Sequence, residues 1–135
     1  MPSRANLRVD AEPGTLRATR RLLHDMVLAH GAKEEDAAAV ELAAGEVLIN
    51  SFEHGYHGRP GPIEIGVVFN GRKVEITVGD RGESPTPAPV VPTSPPQGSR
   101  GRGLYLAARL MDEAEIICPW DAGRGVGVRM VKNFR

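Results

Sequence analysis

Three polar residues spaced four apart, Glu46, Asn50 and His54, form the first group in the sequence that could carry out chemistry. Residues at i and i+4 of a helix share one face, so these side chains would form a single polar stripe. A carboxylate in such a stripe could accept a proton from an attacking hydroxyl. An amide oxygen one turn away could ligate magnesium, which takes oxygen ligands and keeps several waters. Taken alone, such a stripe is more often a solvated helix face.

A second group, Asp80-Arg81-Gly82, follows an alternating apolar run. An aspartate in this position can simply cap a turn. It can also accept a hydrogen bond from the exocyclic amine of adenine, with Gly82 letting the backbone approach a flat base. The sequence by itself leaves both interpretations open.

The third group is the glycine-containing run at residues 98–103, Gly-Ser-Arg-Gly-Arg-Gly, which opens a helical pattern. Glycines before a helix expose backbone N–H groups, and the helix dipole favours an anion at that end. Glycine also makes ordinary helix entries, so this motif alone is weak. The Gly-x-x-x-x-Gly-Lys-Ser/Thr phosphate loop and the eukaryotic-type kinase signatures are absent from the sequence.

The elements that would position these groups follow from apolar periodicity. Asn70-Gly71, a strong tight-turn signal, lies between two alternating runs and predicts an antiparallel hairpin over residues 63–79. The other expected elements are a short strand at 6–10, helices at about 13–31, 33–55 and 101–111, and strands at 114–118 and 127–131. This order predicts an α+β fold, a two-layer sandwich whose mixed, mostly antiparallel sheet is covered on one face by helices. We expect a single domain over residues 1–135.

Residues 83–100 are dense in proline, serine and threonine and have no apolar periodicity. A long structureless segment within a compact domain is usually a lid or a disordered insertion. Proline also removes N–H donors that could bind phosphate. We therefore expect a proline-rich lid at about 83–100.

Composition excludes some classes of function. Lysine plus arginine equals aspartate plus glutamate at 17 each, which argues against direct binding to nucleic acid or an anionic membrane. The single cysteine cannot form an internal disulfide, and no stretch is apolar enough to span a membrane. We expect a cytoplasmic protein.

Together the three groups resemble a known family. Residues 41–55, with Glu46 and Asn50, look like the N box of the GHKL ATPases, which include gyrase and the histidine kinases. The match is closest to the anti-sigma-factor serine kinases. Residues 78–82 look like the G1 box of that branch and residues 101–113 like its G2 box. The resemblance runs from about residue 10 to 133 and implies the Bergerat ATP-binding fold, with ATP and Mg²⁺ as cofactors.

The resemblance also implies roles for individual residues. Asn50 would hold the magnesium ion, Asp80 would bind the adenine amino group, and Glu46 would be the general base for a serine hydroxyl. Further cofactor-binding positions are Gly82, Gly101, Arg102, Gly103 and Leu104, and Arg100 is a lid candidate for the γ-phosphate. The implied partners are an anti-anti-sigma protein of the STAS fold, a sigma factor and a second copy of the chain in a homodimer.

Two alternatives remain beside a kinase. The chain could be an ATP-binding regulator that sequesters a partner without phosphorylating it. It departs from the family where Val126, rather than Thr or Ser, follows Gly125, and in its proline-rich lid. It could also be a stand-alone catalytic piece of a histidine kinase, although no candidate pair of dimerisation helices with a phosphoacceptor histidine is present.

Three other residues have simpler interpretations. His24 and His30, on the first helix, are expected at the surface. Trp120 could anchor a partner at the surface or pack near a chain turn, and the sequence does not decide between these.

Overall fold

The computed structural model describes residues 2–97 and 101–134. Its helices are α1, Pro13–Ala29, α2, Glu34–Asn50, and α3, Arg102–Leu110; one π-helical turn, Ser51–Gly55, extends α2. Its strands are β1, Ser3–Asp10, β2, Pro62–Asn70, β3, Lys73–Asp80, β4, Glu113–Ile117, and β5, Gly127–Asn133. Every expected element is present, and β1 begins three residues earlier than its weak alternation indicated.

The five strands form one sheet in the order β1-β2-β3-β5-β4, and each of the four pairings is antiparallel. The expected hairpin pairs Asn70 with Lys73 across its turn and Ile63 with Asp80 at its open end. The sequence predicted a mixed, mostly antiparallel sheet, whereas the described strands contain no parallel pair. The last strand, β5, lies between β3 and β4 in the sheet. Along the chain, the segment from β3 to β4 contains α3.

Alternation along the strands places the core on one face of the sheet. The buried side chains of β2 and β3 are Ile63, Ile65, Val67, Phe69, Val74, Ile76 and Val78. The apolar stripe of α2 packs over them, with Val40, Ala44, Val47 and Leu48 almost fully buried. This confirms the α+β two-layer arrangement, in which the described helices cover one face of the sheet.

The expectation that His24 lies at the surface is wrong. Its side chain is 1% exposed, and its two ring nitrogens lie 2.8 Å from the carboxylate of Asp25 and 2.7 Å from that of Glu34. Ionised carboxylates only accept hydrogen bonds, and those of Glu34 and then Asp25 raise the pKa of His24, which favours the charged imidazolium. Because Glu34 opens α2, this ion pair ties α1 to α2. The second histidine, His30, is exposed and stacks on Phe69.

Trp120 packs against the sheet near a chain turn. Its indole lies across the paired glycines Gly79 and Gly127, where a Cβ on either would come within 2.0 Å of the ring. Side chains larger than hydrogen are therefore excluded at both positions. Within the described residues, no helix is long and apolar enough to cross a lipid bilayer.

Candidate functional site

A pocket of about 330 Å³ opens where α2, β3 and α3 converge. This volume lies in the range typical of small-molecule sites. It is lined by Asn50, His54, Gly55, His57, Asp80, Glu83, Pro85, Pro89, Val90, Gly101, Leu104 and Val126. The three groups found in the sequence therefore meet around one cavity.

Asp80, the last residue of β3, is a buried carboxylate in the wall of this pocket. It is 1% exposed, and its Oδ1 accepts hydrogen bonds from the backbone N–H groups of Gly82 at 3.0 Å and Val126 at 3.2 Å. Among the described residues, no hydrogen bond uses Oδ2. Asp80 therefore caps its own turn through one oxygen and has the other available to accept from a ligand, so the two interpretations of this residue are compatible.

The backbone beside Asp80 is closely packed. A Cβ at Gly82 would lie 2.0 Å from the carbonyl oxygen of Gly55, and a Cβ at Gly55 would lie 2.8 Å from Oδ2 of Asp80. Real Cβ atoms do not approach other atoms this closely, so both positions require glycine. We call Gly55, Asp80, Gly82 and Val126 the pocket floor.

The polar stripe of α2 is only partly directed into the pocket. Asn50 and His54 line it, whereas Glu46, one turn earlier, does not. The carboxylate of Glu46 packs against the first turn of α3, where a Cβ at Gly103 would lie 2.7 Å from its Oε2. Gly103 is thus the position that lets α3 approach the helix carrying Glu46 and Asn50.

The N-terminus of α3 adjoins the pocket through Gly101 and Leu104. Gly101 adopts a left-handed conformation with φ of 84°, and no side chain of a described residue caps the helix. The first N–H groups of a helix have no intrahelical partner, and they carry its positive end. This end can therefore receive an anion. Arg102 is exposed and does not line the pocket.

The proline-rich segment lies over the pocket. We call residues 83–97 the lid; Pro85, Pro89 and Val90 line the cavity. Three polar contacts join it to the site: the hydroxyl of Ser84 donates to the carbonyl of Gly125 at 3.0 Å, the N–H of Glu83 donates to the carbonyl of Gly55 at 3.4 Å, and the carboxylate of Glu83 lies 3.2 Å from the ring of His57. Gly98, Ser99 and the lid candidate Arg100 lie outside the described residues.

The structure thus brings Asn50, Asp80, Gly101 and Leu104 to one cavity, with Gly82 and Gly103 packed just behind it. Sequence reasoning gave no role to Gly55, Ser84 or the backbone of Val126. The only signal for Gly55 is its place after His54 at the end of the polar stripe. The other two contacts join segments about 40 residues apart, and no local pattern indicates them.

Comparisons with known proteins agree with this geometry. A family described as the histidine kinase-like ATPase domain matches residues 9–132. The serine-protein kinase RsbW of Oceanobacillus iheyensis is 29% identical over 120 residues, covering 82% of this chain and 76% of the relative. The anti-sigma F factor of a Thermoanaerobacter species is 30% identical over 103 residues, covering 73% of this chain and 71% of the relative.

One solved structure shares the fold. The RsbU and RsbW domains of a Mycobacterium tuberculosis protein superpose with a TM-score of 0.70 at 22% identity. The match covers 98% of this chain and 32% of that longer chain.

Proposed function

Since the chain belongs to the histidine kinase-like ATPase domain family, we propose that it is an ATP- and magnesium-dependent serine kinase that also acts as an anti-sigma factor. The observation that carries the proposal is the convergence of Asn50, Asp80 and the N-terminus of α3 on one pocket. The names of the relatives, a serine-protein kinase and an anti-sigma F factor, support the same function.

The pocket fits an adenine nucleotide. Asp80 is a carboxylate in the pocket wall whose Oδ2 accepts no hydrogen bond from a described residue, and such an acceptor can select an exocyclic amine. The N-terminus of α3 offers backbone donors for phosphate. In this assignment Gly82, Gly101, Gly103 and Leu104 shape the site, and the exposed Arg102 contributes long-range positive charge.

Magnesium would be held by Asn50 together with the phosphates. In the described part of the chain, no group of three or more His, Cys, Asp or Glu side chains could hold a metal alone. A site with one protein ligand fits this ion, which keeps several waters and binds readily to phosphate oxygens. Magnesium, when bound, would neutralise charge on the transferred phosphoryl group.

Glu46 would act as general base. It would accept the proton of a serine hydroxyl as that oxygen takes the γ-phosphoryl group and ADP leaves. The serine would belong to an anti-anti-sigma protein of the STAS fold, and the second partner would be a sigma factor. A regulator of this kind acts in the cytoplasm, without contacting nucleic acid or membrane, and we propose that it works as a homodimer.

The test is phosphate transfer. Wild-type protein, ATP, magnesium and candidate STAS proteins from the same genome are combined, and phosphoserine is measured by mass spectrometry. Loss of a general base typically costs about 10²–10⁴-fold in rate, so Glu46→Gln should slow transfer at least about a hundredfold while ATP affinity is kept. Glu53→Gln, an exposed residue one helical turn beyond Asn50, is the matched control and should transfer at the wild-type rate.

One observation favours a second candidate. Glu46 does not line the pocket, and it packs instead against Gly103. The chain could then bind ATP and sequester a partner without phosphorylating it. Tight ATP binding and partner binding, with no phosphate transferred to any STAS protein, would support this candidate and contradict the kinase.

A further inference from the structure

Tyr56 joins three segments of the candidate site through its hydroxyl group. The hydroxyl donates to the carbonyl of Pro62 at 2.5 Å and accepts from the backbone N–H of Arg81 at 2.8 Å. Tyr56 follows the helical turn that extends α2, Pro62 opens β2, and Arg81 comes directly after Asp80. One phenol therefore connects the end of the Asn50 helix to the residue that follows the buried carboxylate.

These bonds add a second restraint directly after Asp80 in the chain. Backbone donors at Gly82 and Val126 hold its Oδ1, and Tyr56 holds the next peptide along the chain. Pro62 is itself fixed at the start of β2, where Ile63 pairs with Asp80. The peptide bond between Asp80 and Arg81 is thus tied both to the sheet and to the segment that follows α2.

The ring of Tyr56 is in a fixed position. It packs against the hydrophobic core, and a Cβ at Gly61 would lie 2.5 Å from a ring carbon. Partial burial raises the pKa of the phenol above its usual value, so the hydroxyl keeps the proton that it donates to Pro62. Neither the ring nor its protonation is free to change under ordinary conditions.

We propose that Tyr56 is a positioning residue for base recognition, which aims the carboxylate of Asp80 at the amino group of adenine. This rests on the proposed function, because it assigns the pocket to an adenine nucleotide. The N–H of Arg81 is at the exposed surface, so water can replace the phenol there. Removing the hydroxyl should therefore affect the orientation of the Asp80 carboxylate more than the free energy of unfolding.

The test compares Tyr56→Phe with Tyr105→Phe. Tyr105 is the second of the two tyrosines, lies on α3, does not line the pocket, and its hydroxyl has no hydrogen bond to another described residue. Dissociation constants are measured for ATP and for purine riboside triphosphate, which differs from ATP only in lacking the amino group. Thermal unfolding of each variant is recorded in parallel.

We expect Tyr56→Phe to weaken ATP binding about three- to tenfold, the range that one or two lost hydrogen bonds produce. Binding of purine riboside triphosphate should stay within about twofold, because it has no amino group for Asp80 to meet. The ratio of the dissociation constants for purine riboside triphosphate and ATP should thus fall in Tyr56→Phe and keep its wild-type value in Tyr105→Phe.

If Tyr56→Phe weakened the binding of both nucleotides equally, the inference would be overturned, and a general loss of structure would be indicated. Unchanged binding of both would overturn it as well. These results differ from failure of the proposed function, in which the wild-type protein binds neither nucleotide and both proposals fall together.

Discussion

The floor and the lid of the same pocket are built by opposite means. In the floor, two backbone N–H groups donate to the carboxylate of Asp80. Gly55 and Gly82 also lie so close to their neighbours that neither position has room for a Cβ. The described residues of the lid form neither helix nor strand. They are tied to the site near one end only, by hydrogen bonds from Ser84 to Gly125 and from the N–H of Glu83 to Gly55, and by the pair of Glu83 and His57. For the proposed nucleotide site, we therefore expect the floor to set specificity for the base and the lid to affect how long the ligand stays bound.

The largest effect should come from adding one methyl group to the floor. A Cβ at Gly82 meets the carbonyl of Gly55, and overpacking of this kind typically costs about 1–3 kcal/mol. We expect Gly82→Ala to lower the free energy of unfolding by about that amount and to abolish ATP binding. Denaturant unfolding and nucleotide titration measure the two effects.

The control for this change is Gly14→Ala, in the exposed first turn of α1, where the nearest atom to an added Cβ is 3.9 Å away. It should leave ATP binding unchanged and stabilise the helix by up to about 1 kcal/mol. If Gly82→Ala also kept ATP binding and stability, the floor would not be rigidly packed, and the contrast with the lid would be wrong.

Asp80→Asn should have the next largest effect. An asparagine can still accept from Gly82 and Val126 through one oxygen, but it carries an N–H₂ donor where Oδ2 would accept. We expect ATP affinity to fall about a hundredfold, since hydrogen bonds to charged groups are worth about 1.5–3 kcal/mol, with little change in stability. Calorimetric titration measures the affinity, and Asp10→Asn, at the exposed end of β1, serves as the control.

The lid should be far more tolerant. Ser84→Ala removes the hydrogen bond to Gly125, which is worth about 1 kcal/mol at most. We expect ATP to bind about threefold more weakly through faster release, with the free energy of unfolding unchanged within about 0.5 kcal/mol. Stopped-flow release of a fluorescent ATP analogue checks this against Ser94→Ala, an exposed lid serine. A loss as large as that of Asp80→Asn would mean that the lid, too, carries specificity.

The smallest expected effect lies away from both regions, at the ion pair between α1 and α2. Hydrogen bonds that its ring donates to Glu34 and then to Asp25 raise the pKa of His24 above its usual value. A raised pKa stabilises the fold fully below the pKa of the unfolded chain, about 6.5, and the contribution is lost as pH rises through the folded value. Both carboxylates are largely exposed, so solvent weakens the effect.

The measurement is the unfolding free energy of wild-type protein and His24→Gln between pH 5.5 and pH 8.5, with His30→Gln as the control. Wild-type and His30→Gln should lose stability as pH rises from about 6.5, and His24→Gln should not show this loss. A wild-type curve that rises over the same interval would contradict the imidazolium assignment.

The features that sequence predicted are those with a local pattern. Apolar alternation and the Asn70-Gly71 turn determined β2 and β3, and spacing by four placed Asn50 and His54 on one face. The turn after β3 and the glycine run before α3 indicated Asp80 and Gly101, and the family resemblance added Leu104; the structure brings all three to the same cavity. Roles within the cavity remain predictions until a ligand is measured.

The features that sequence did not predict depend on contacts between distant segments. His24 resembled a surface residue of α1, because its partner Glu34 lies ten positions away on the next helix. The bridge from Tyr56 to Arg81 spans 25 positions, and the one from Val126 to Asp80 spans 46. Only the three-dimensional fold brings such groups within hydrogen-bonding distance.

The most direct test of the pocket assignment is calorimetric titration of ATP into the wild-type protein and Asn50→Ala, each with and without magnesium. The account predicts that the wild-type protein binds ATP, that magnesium strengthens binding, and that Asn50→Ala binds ATP but loses the gain from magnesium. A wild-type protein that binds no ATP under either condition would contradict it, and the three sequence groups would then belong to a fold that does not bind this nucleotide.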